Sequence, residues 1–374
     1  MYRFIHSSDL HLGKRFGNFG GDLPGRLREA RHAVIARLAA LARDHGATAI
    51  LLAGDTFDTE TPSPEIRRQA LAEMRHHAPL RWVVLPGNHD SLQAAQLWSA
   101  LCAEAPENVV LAVEPQPVLL APQAMLFPAP CTTRRPGRDL SEWMDGAPTP
   151  EGTIRIGLAH GAIQRFSEDD VASDVIAPDR ARRSGLDYLA LGDWHGAVAV
   201  DRRTHYSGSP EPDRFKHDRP GQALLVDIAG PAAFPDVTPL DTASFAWRTL
   251  PLHLLDGDDC AAALEAILPD SRLRRHTLAR IAASGRCRLA GRTALAASVG
   301  HAMPDFAFLE LDERALATEC DSEDLDLIDR AGALREAADA LLAEAGEEGR
   351  SAADQDVARA ALARLFSFCE TTAS

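Results

Sequence analysis

Five short polar motifs, each just past an apolar run, contain the residue types that hold metal ions. They read Asp9-Leu10-His11, Gly54-Asp55-Thr56-Phe57-Asp58, Gly87-Asn88-His89-Asp90, His160-Gly161 and Gly192-Asp193-Trp194-His195. Carboxylate oxygen, amide oxygen and imidazole nitrogen are donors for hard-to-borderline divalent cations, and a pair of such cations suits the hydrolysis of a phosphoester. Asp9 and His11 lie two residues apart, so an extended segment points both side chains the same way. Asp55, directly after Ile50-Leu51-Leu52-Ala53-Gly54, is placed to bridge two ions. Gly54 and Gly87 would let backbone approach the ions closely. Asn88 offers a neutral carbonyl oxygen, and His160, Asp193 and His195 complete the donors for two ions. Singly, each motif reads as an ordinary turn or a hydrogen-bonded histidine; their order and shared context carry the reading.

The elements that must position these residues alternate between short apolar runs and helical patterns over about the first 230 residues. Strands are expected over Arg3–His6, Ala49–Ala53, Trp82–Leu85, Val109–Ala112, Ile154–Ala159, Tyr188–Leu191, Ala197–Val200 and Ala223–Ile228. These runs are too short for helices. Leu27, Ala30, Val34, Leu38 and Leu41 recur at helical spacing, with Gly46 closing that helix; Ser63–His77 and Ser91–Cys102 also read as helices. Such alternation predicts an α/β layered core. Prolines crowd Pro115–Pro150, a strand-and-turn excursion, and a loop-like break falls at Gly230–Pro239. Beyond it, strand-like Ala246–Leu254, helical Asp258–Leu268, strand-like Leu278–Ala283 and Cys287–Leu289, helical Ala294–Met303 and strand-like Phe306–Leu311 predict a small α+β unit. The last stretch reads as an acidic helix–loop–helix, with Leu327, Leu334 and Leu341 on one stripe and Val357, Ala361, Leu365 and Phe368 on another.

The 374 residues are 45% hydrophobic and 25% charged, an ordinary globular composition. No run approaches the roughly 18 consecutive apolar residues that span a bilayer. The opening Met1-Tyr2-Arg3-Phe4-Ile5-His6 turns polar at once, without the apolar region of a leader, and the six cysteines are scattered with no C-x-x-C pair. A reducing, cytoplasmic location is expected. The net charge of −15 argues superficially against a nucleic-acid partner, but from Glu310 to Ser374 there are 17 acidic residues against 6 arginines. That tail holds −11 of the charge, and bound cations would offset much of the rest.

The motif set resembles the calcineurin-like metallophosphoesterase superfamily, whose pattern is D-x-H, G-D-x-x-D, G-N-H-[DE], H and G-H-x-H. More narrowly, His6-Ser7-Ser8-Asp9-Leu10-His11-Leu12-Gly13-Lys14, Ala53–Asp58 and Leu85–Asp90 are similar to the SbcD-like DNA-repair exonucleases. The resemblance implies a four-layer α/β/β/α sandwich over residues 1–240, an α+β capping domain over 241–312 and an acidic helical segment over 313–374. It implies that Asp9, His11 and His195 hold one ion, Asn88, His160 and Asp193 the other, and Asp55 both. His89, oriented by Asp58, would protonate the leaving oxygen during in-line attack by a metal-activated hydroxide. Manganese is the ion the nuclease branch implies, with magnesium as another divalent choice. Lys14, Arg15, Ser207 and Ser209 are candidate substrate contacts. DNA is the implied substrate and an SMC-like ABC ATPase the implied partner, docking on the C-terminal helices. A homodimer through helices near the active face is a further implication, with Ser91–Cys102 as a candidate element. The alternatives are a small-molecule phosphodiesterase or phosphatase, and a scaffold with weakened chemistry. The departure that raises the last of these is Asp193, where the family pattern has histidine.

Overall fold

The computed structural model describes residues 1–163, 175–216, 220–319 and 332–373. Leu327, expected in a helical stripe, and Cys320 lie outside the described residues. The chain forms two compact units, Met1–Ala246 and Trp247–Ser374.

The strands of the first unit are, in chain order, β1 (Tyr2–Ser7), β2 (Ala49–Leu52), β3 (Arg81–Val84), β4 (Val109–Leu111), β5 (Val118–Ala121), β6 (Ala124–Ala129), β7 (Ile154–His160), β8 (Ala162–Ile163), β9 (Val175–Ile176), β10 (Tyr188–Gly192), β11 (Val198–Ala199), β12 (Thr204–Tyr206), β13 (Gln222–Ile228) and β14 (Asp236–Asp241). They build two six-stranded sheets, ordered β14-β13-β1-β2-β3-β4 and β11-β12-β10-β7-β6-β5, and a small β8-β9 pair. β1 to β4 run parallel and β13 joins β1 antiparallel. In the second sheet β6, β7, β10 and β12 are parallel, while β5 and β11 join its two edges antiparallel. Both sheets are therefore mixed.

The apolar runs are continuous rather than alternating because the inner strands are buried on both faces. In β2, Ile50 and Leu52 pack outward with Val34, Ile35 and Leu38 of helix α1 (Leu23–Asp44) and Leu71 and Met74 of α2 (Pro64–His76). The intervening Ala49 and Leu51 pack inward with Phe4 of β1 and with Leu126, Ile156 and Tyr188 of the second sheet. The outer face of that sheet is covered by Met144, by Ala181 of the short helix Arg180–Arg183, and by Leu186. Layers therefore run helix, sheet, sheet and a thinner helical cover, as an α/β/β/α sandwich requires. Helix α1 buries Leu27, Ala30, Val34 and Leu38 and ends at Asp44, with Gly46 just past its end at a φ of 68° that suits the turn out of the helix. Helix α2 starts at Pro64 behind Ser63, whose hydroxyl accepts from Ile66 N. Helix α3 covers Ala95–Glu104 and starts later than its expected Ser91.

The loop-like break expected at 230–239 is corrected: Asp236–Asp241 is a strand, with Pro239 opposite Leu224. β14 is a sheet edge, where proline's missing N–H leaves no inner ladder bond unmade. β12, not expected, is too short to show a pattern.

The second unit has strands β15 (Ala246–Leu254), β16 (Thr277–Arg288) and β17 (Phe308–Glu319), with β16 and β17 parallel. The two strands expected within 278–289 are one, passing through Gly285 at φ 94°. The helix expected from Ala294 begins at Leu289. Helices Ala333–Gly346 and Ala352–Ala373 pack Ala338 and Leu362 with Leu289, so the acidic helices close an apolar cluster within their own unit. Among the described residues no helix is long and apolar enough to cross a membrane.

Candidate active site

Each motif leaves the carboxyl end of a strand, the edge where open α/β sheets bind ligands. Asp9 and His11 follow β1, Asp55 follows β2, Asn88 and His89 follow β3, His160 ends β7, and Asp193 and His195 follow β10. The first two loops are laced together: Asp9 N donates to Gly54 O, His11 N to Asp55 O and Leu12 N to Thr56 O. This lacing corrects one expectation. Asp9 and His11 are not extended but left-handed, at φ 54° and 44°, as is Asp55 at 54°, and Asp193 sits at φ 101°. Such conformations cost a non-glycine residue about 1–3 kcal/mol each and persist where the surroundings hold them. Here they turn the carboxylates and the His11 ring toward one another.

Donor atoms of Asp9, His11 and His195 all lie within 4.8 Å of one another, and so do those of Asp9, Asp55 and His160. Asp55 faces both groups: Oδ2 is 3.7 Å from His11 Nε2 and Oδ1 is 3.5 Å from His160 Nε2. His160 Nδ1 donates to Ala53 O at 2.8 Å, which aims Nε2 into the site without a hydrogen-bond partner. His195 turns Nδ1 to Asp213 Oδ1 at 3.3 Å and Nε2 toward His11 Nε2, also 3.3 Å away. Asn88 Nδ2 donates to Asp193 Oδ1 at 2.8 Å, leaving Asn88 Oδ1 buried and unpartnered. Asp193 Oδ1 is 3.8 Å from His160 Nε2, and the Asp193 amide faces the Asp9 carboxylate at 3.3 Å. Orphaned buried acceptors beside clustered carboxylates are what a cation site requires, and the donor set fits two divalent ions.

Electrostatics agree. Burial holds His11 below the usual imidazole range, in the neutral form that ligates. Burial also disfavours a His160 cation, but Asp55 beside it overrides this and raises that pKa well above its ordinary value. A cation bound there would take the place of that proton. Burial raises Asp193, and the charges of Asp9 and Asp55 add to the effect.

His89 lies against His11, ring centroids 4.9 Å apart. Its Nδ1 donates to the backbone carbonyl of Asp58 at 2.9 Å. The orienting group is therefore the Asp58 carbonyl, whereas the Asp58 carboxylate stands 3.4 Å from His11 Nδ1. Leu12 O accepts from the Asp58 amide, and donor atoms of His11, Asp58 and His89 lie within 4.8 Å of one another.

Gly54 and Gly87 leave room for side chains of the cluster. A Cβ on Gly54 would overlap the His160 ring, and one on Gly87 would overlap Asp55.

Two carboxylates behind the site were not assigned roles from sequence. Asp213 is buried and accepts from Lys14 Nζ at 2.6 Å and Arg214 Nε at 3.0 Å besides facing His195. Its burial is outweighed by His195, Arg31 and Lys14, which hold its carboxyl well below the usual range. Asp90 accepts from Gly87 N and Phe57 N, tying the third loop to the second. Burial and the Asp55 charge push it up to about 7. Asp90 stood in a motif, so its signal was present; Asp213 had none, since its link to His195 is made only in the fold.

The expected substrate contacts divide. Arg15 is exposed. Lys14 is paired with Asp213. Ser207 and Ser209 are corrected: both are buried, Ser207 Oγ bonding Ser8 Oγ and Ser209 Oγ donating to Asp9 O. They brace the Asp9 loop from beneath, so their hydroxyls are not offered to a substrate.

The family model described as calcineurin-like phosphoesterase matches residues 2–226, and the chain belongs to that family. Three relatives, each named as the D subunit of the nuclease SbcCD, are similar to it. The Escherichia coli K12 protein is 32% identical over 265 residues, covering 60% of this chain and 64% of that protein. The Bacillus subtilis protein is 29% identical over 276 residues, covering 61% and 66%. The Rhodobacter capsulatus protein is 26% identical over 282 residues, covering 62% and 67%. The match thus spans about two thirds of these relatives' length.

Proposed function

We propose that the protein is a divalent-metal-dependent DNA nuclease that hydrolyses phosphodiesters at the edge formed by Asp9, His11, Asp55, Asn88, His160, Asp193 and His195. The observation that carries the reading is the cluster of Asp9, Asp55 and Asp193 around His160 Nε2, which has no hydrogen-bond partner, together with the buried, unpartnered Asn88 Oδ1. The nuclease assignment draws on the relatives' name.

When bound, two divalent ions, most simply manganese or magnesium, supply a nucleophile at neutral pH and offset charge on the phosphoryl oxygens. The chain's own residues do the rest. Asp55 spans the two donor groups, one oxygen toward each. Ala53 O and Asp213 fix the tautomers of His160 and His195 so that each presents Nε2. His89 has its Nδ1 proton committed to Asp58 O, so a second proton on Nε2 makes an imidazolium. That imidazolium can protonate a departing alkoxide, a contribution of about 10²–10⁴-fold. Asp193 orients the Asn88 amide, and its other oxygen remains for an ion. We extend the proposal to a cytoplasmic role in DNA repair with an SMC-like ATPase docked on helices Ala333–Gly346 and Ala352–Ala373, a partner suggested by the relatives' being named as one subunit of a larger nuclease.

The test is manganese-dependent hydrolysis of end-labelled linear single- and double-stranded DNA, with bis-p-nitrophenyl phosphate as the generic diester. Cleavage of both is expected. Turnover of the generic diester without DNA cleavage would move the function to a small-molecule phosphodiesterase.

A further inference from the structure

At the other end of β7 and β10, away from His160 and Gly192, lies a cavity of about 610 Å³. Arg155 and His160 sit at opposite ends of β7, so five residues of strand, about 17 Å, separate this cavity from the metal edge. A volume of this size lies within the range that takes a small organic ligand. Its lining holds four arginines, Arg155, Arg182, Arg202 and Arg203, against two carboxylates, Asp187 and Asp201. Arg182 is paired with Asp179 at 2.5 Å, so the local excess of cations rests on Arg155, Arg202 and Arg203, in a chain of net charge −15.

The two carboxylates are largely occupied by backbone. Asp187 accepts from Arg155 N and Ala232 N, and Asp201 Oδ1 accepts from Arg203 N and Thr204 N. Arg155 is held by neutral oxygens of Ala147, Thr149, Met144 and Ser184, which position its guanidinium without cancelling its charge. Arg203 donates to the carbonyls of Ala232 and Ala233, with Asp187 Oδ1 at 3.5 Å. Ala232 is left-handed at φ 63°, a strained alanine beside the cavity.

Phe234 lies on the wall with 51% of its surface exposed. The guanidinium carbons of Arg202 and Arg203 lie 3.7 and 4.4 Å from its ring centroid. Among the described residues no carboxylate pairs with Arg202. An arginine–aromatic stack is a platform for a planar base, and fixed guanidinium groups bind phosphate oxygens.

We propose that this cavity is a nucleotide-binding site separate from the metal edge, with the base stacked on Phe234 and Arg202 and the phosphate held by the neighbouring arginines. The nucleotide is either free or one unit of a single strand, and binding here does not depend on what the metal edge hydrolyses.

The experiment is calorimetric titration of the full chain, in buffer containing EDTA, with AMP, with inorganic phosphate and with a four-residue deoxyadenosine oligonucleotide. Wild type, Arg202→Glu and Phe234→Ala are compared; both side chains are exposed and neither belongs to the metal edge. Saturable binding of AMP with a Kd of about 1 mM or tighter is expected. Each variant should weaken it by about tenfold or more while keeping wild-type melting and diester hydrolysis. Tighter binding of the oligonucleotide than of AMP would assign the site to a strand, and binding of AMP alone would assign it to a free nucleotide; both uphold the site. No binding of AMP at millimolar concentration, binding undiminished in both variants, or phosphate binding as tightly as AMP would overturn it.

Discussion

At one end of β7 and β10 the chain gathers Asp9, Asp55 and Asp193 with His11, His160 and His195; at the other it gathers Arg155, Arg182, Arg202 and Arg203. The first end is built by bending backbone: Asp9, His11, Asp55 and Asp193 all have positive φ. Carboxylates repel one another, and only a rigid frame holds several together before a cation arrives. The second end is built by lending carbonyls: the oxygens of Ala147, Ser184, Ala232 and Ala233 hold guanidinium groups in place. The same two strands thus carry clustered carboxylates at one end and clustered guanidinium groups at the other, the first converging through bent backbone and the second held mainly by neutral carbonyls.

The sharpest way to break the metal end is Asp55→Ala, which removes the oxygens facing both His11 and His160. Loss of both ions removes the nucleophile available at neutral pH, so kcat/KM for a diester should fall by on the order of 10⁴-fold or more. The arginine end should be indifferent, with AMP binding unchanged. Asp213→Asn is milder. It leaves every proposed ligand in place but loosens the His195 ring, and calorimetry should show metal affinity lowered about 10–100-fold. Unchanged affinity would mean that His195 needs no support from behind.

A carboxylate belonging to neither end provides the contrast in stability. Asp139 accepts from Ser141 Oγ, Arg180 Nη2, Ala177 N and Ser141 N, and these contacts outweigh partial burial to hold its carboxyl below the usual range. A depressed pKa contributes stability above the unfolded value of about 4, and that contribution is lost as pH falls through the folded value. Asp139→Asn should therefore cost about 1.5–3 kcal/mol at pH 7 by denaturant unfolding, with the gap from wild type closing below about pH 4. Metal affinity should not move. A gap that persists in acid would show that packing, not charge, holds this corner.

The clustering of Asp9, Asp55 and His160 was legible in the sequence because each lies at or just past the end of an apolar strand and is marked by its neighbours in the chain. The two sheets were legible in part: β1, β2, β7 and β10 are doubly buried and read as apolar runs, whereas β12 is too short and β14 carries Pro239 on an edge. What the sequence did not reveal depends on contacts distant along the chain. Asp213 meets Lys14 across 199 residues, and Arg203 meets Ala233 across 30. Ser207 looked like a phosphate-binding turn because small residues in loops have that use; in the fold its hydroxyl meets Ser8 instead. His89 stood out in its motif, but its support did not, since the atom that accepts from it is a backbone oxygen that every residue carries.

The most direct test of the central claim pairs a manganese titration with turnover, comparing wild type and His89→Ala. Two ions should bind both proteins with equal affinity, while hydrolysis of a phosphodiester by the variant falls about 10²–10⁴-fold. Fewer than two ions in the wild type, or a variant that turns over like the wild type, would contradict a two-ion centre with His89 as its acid.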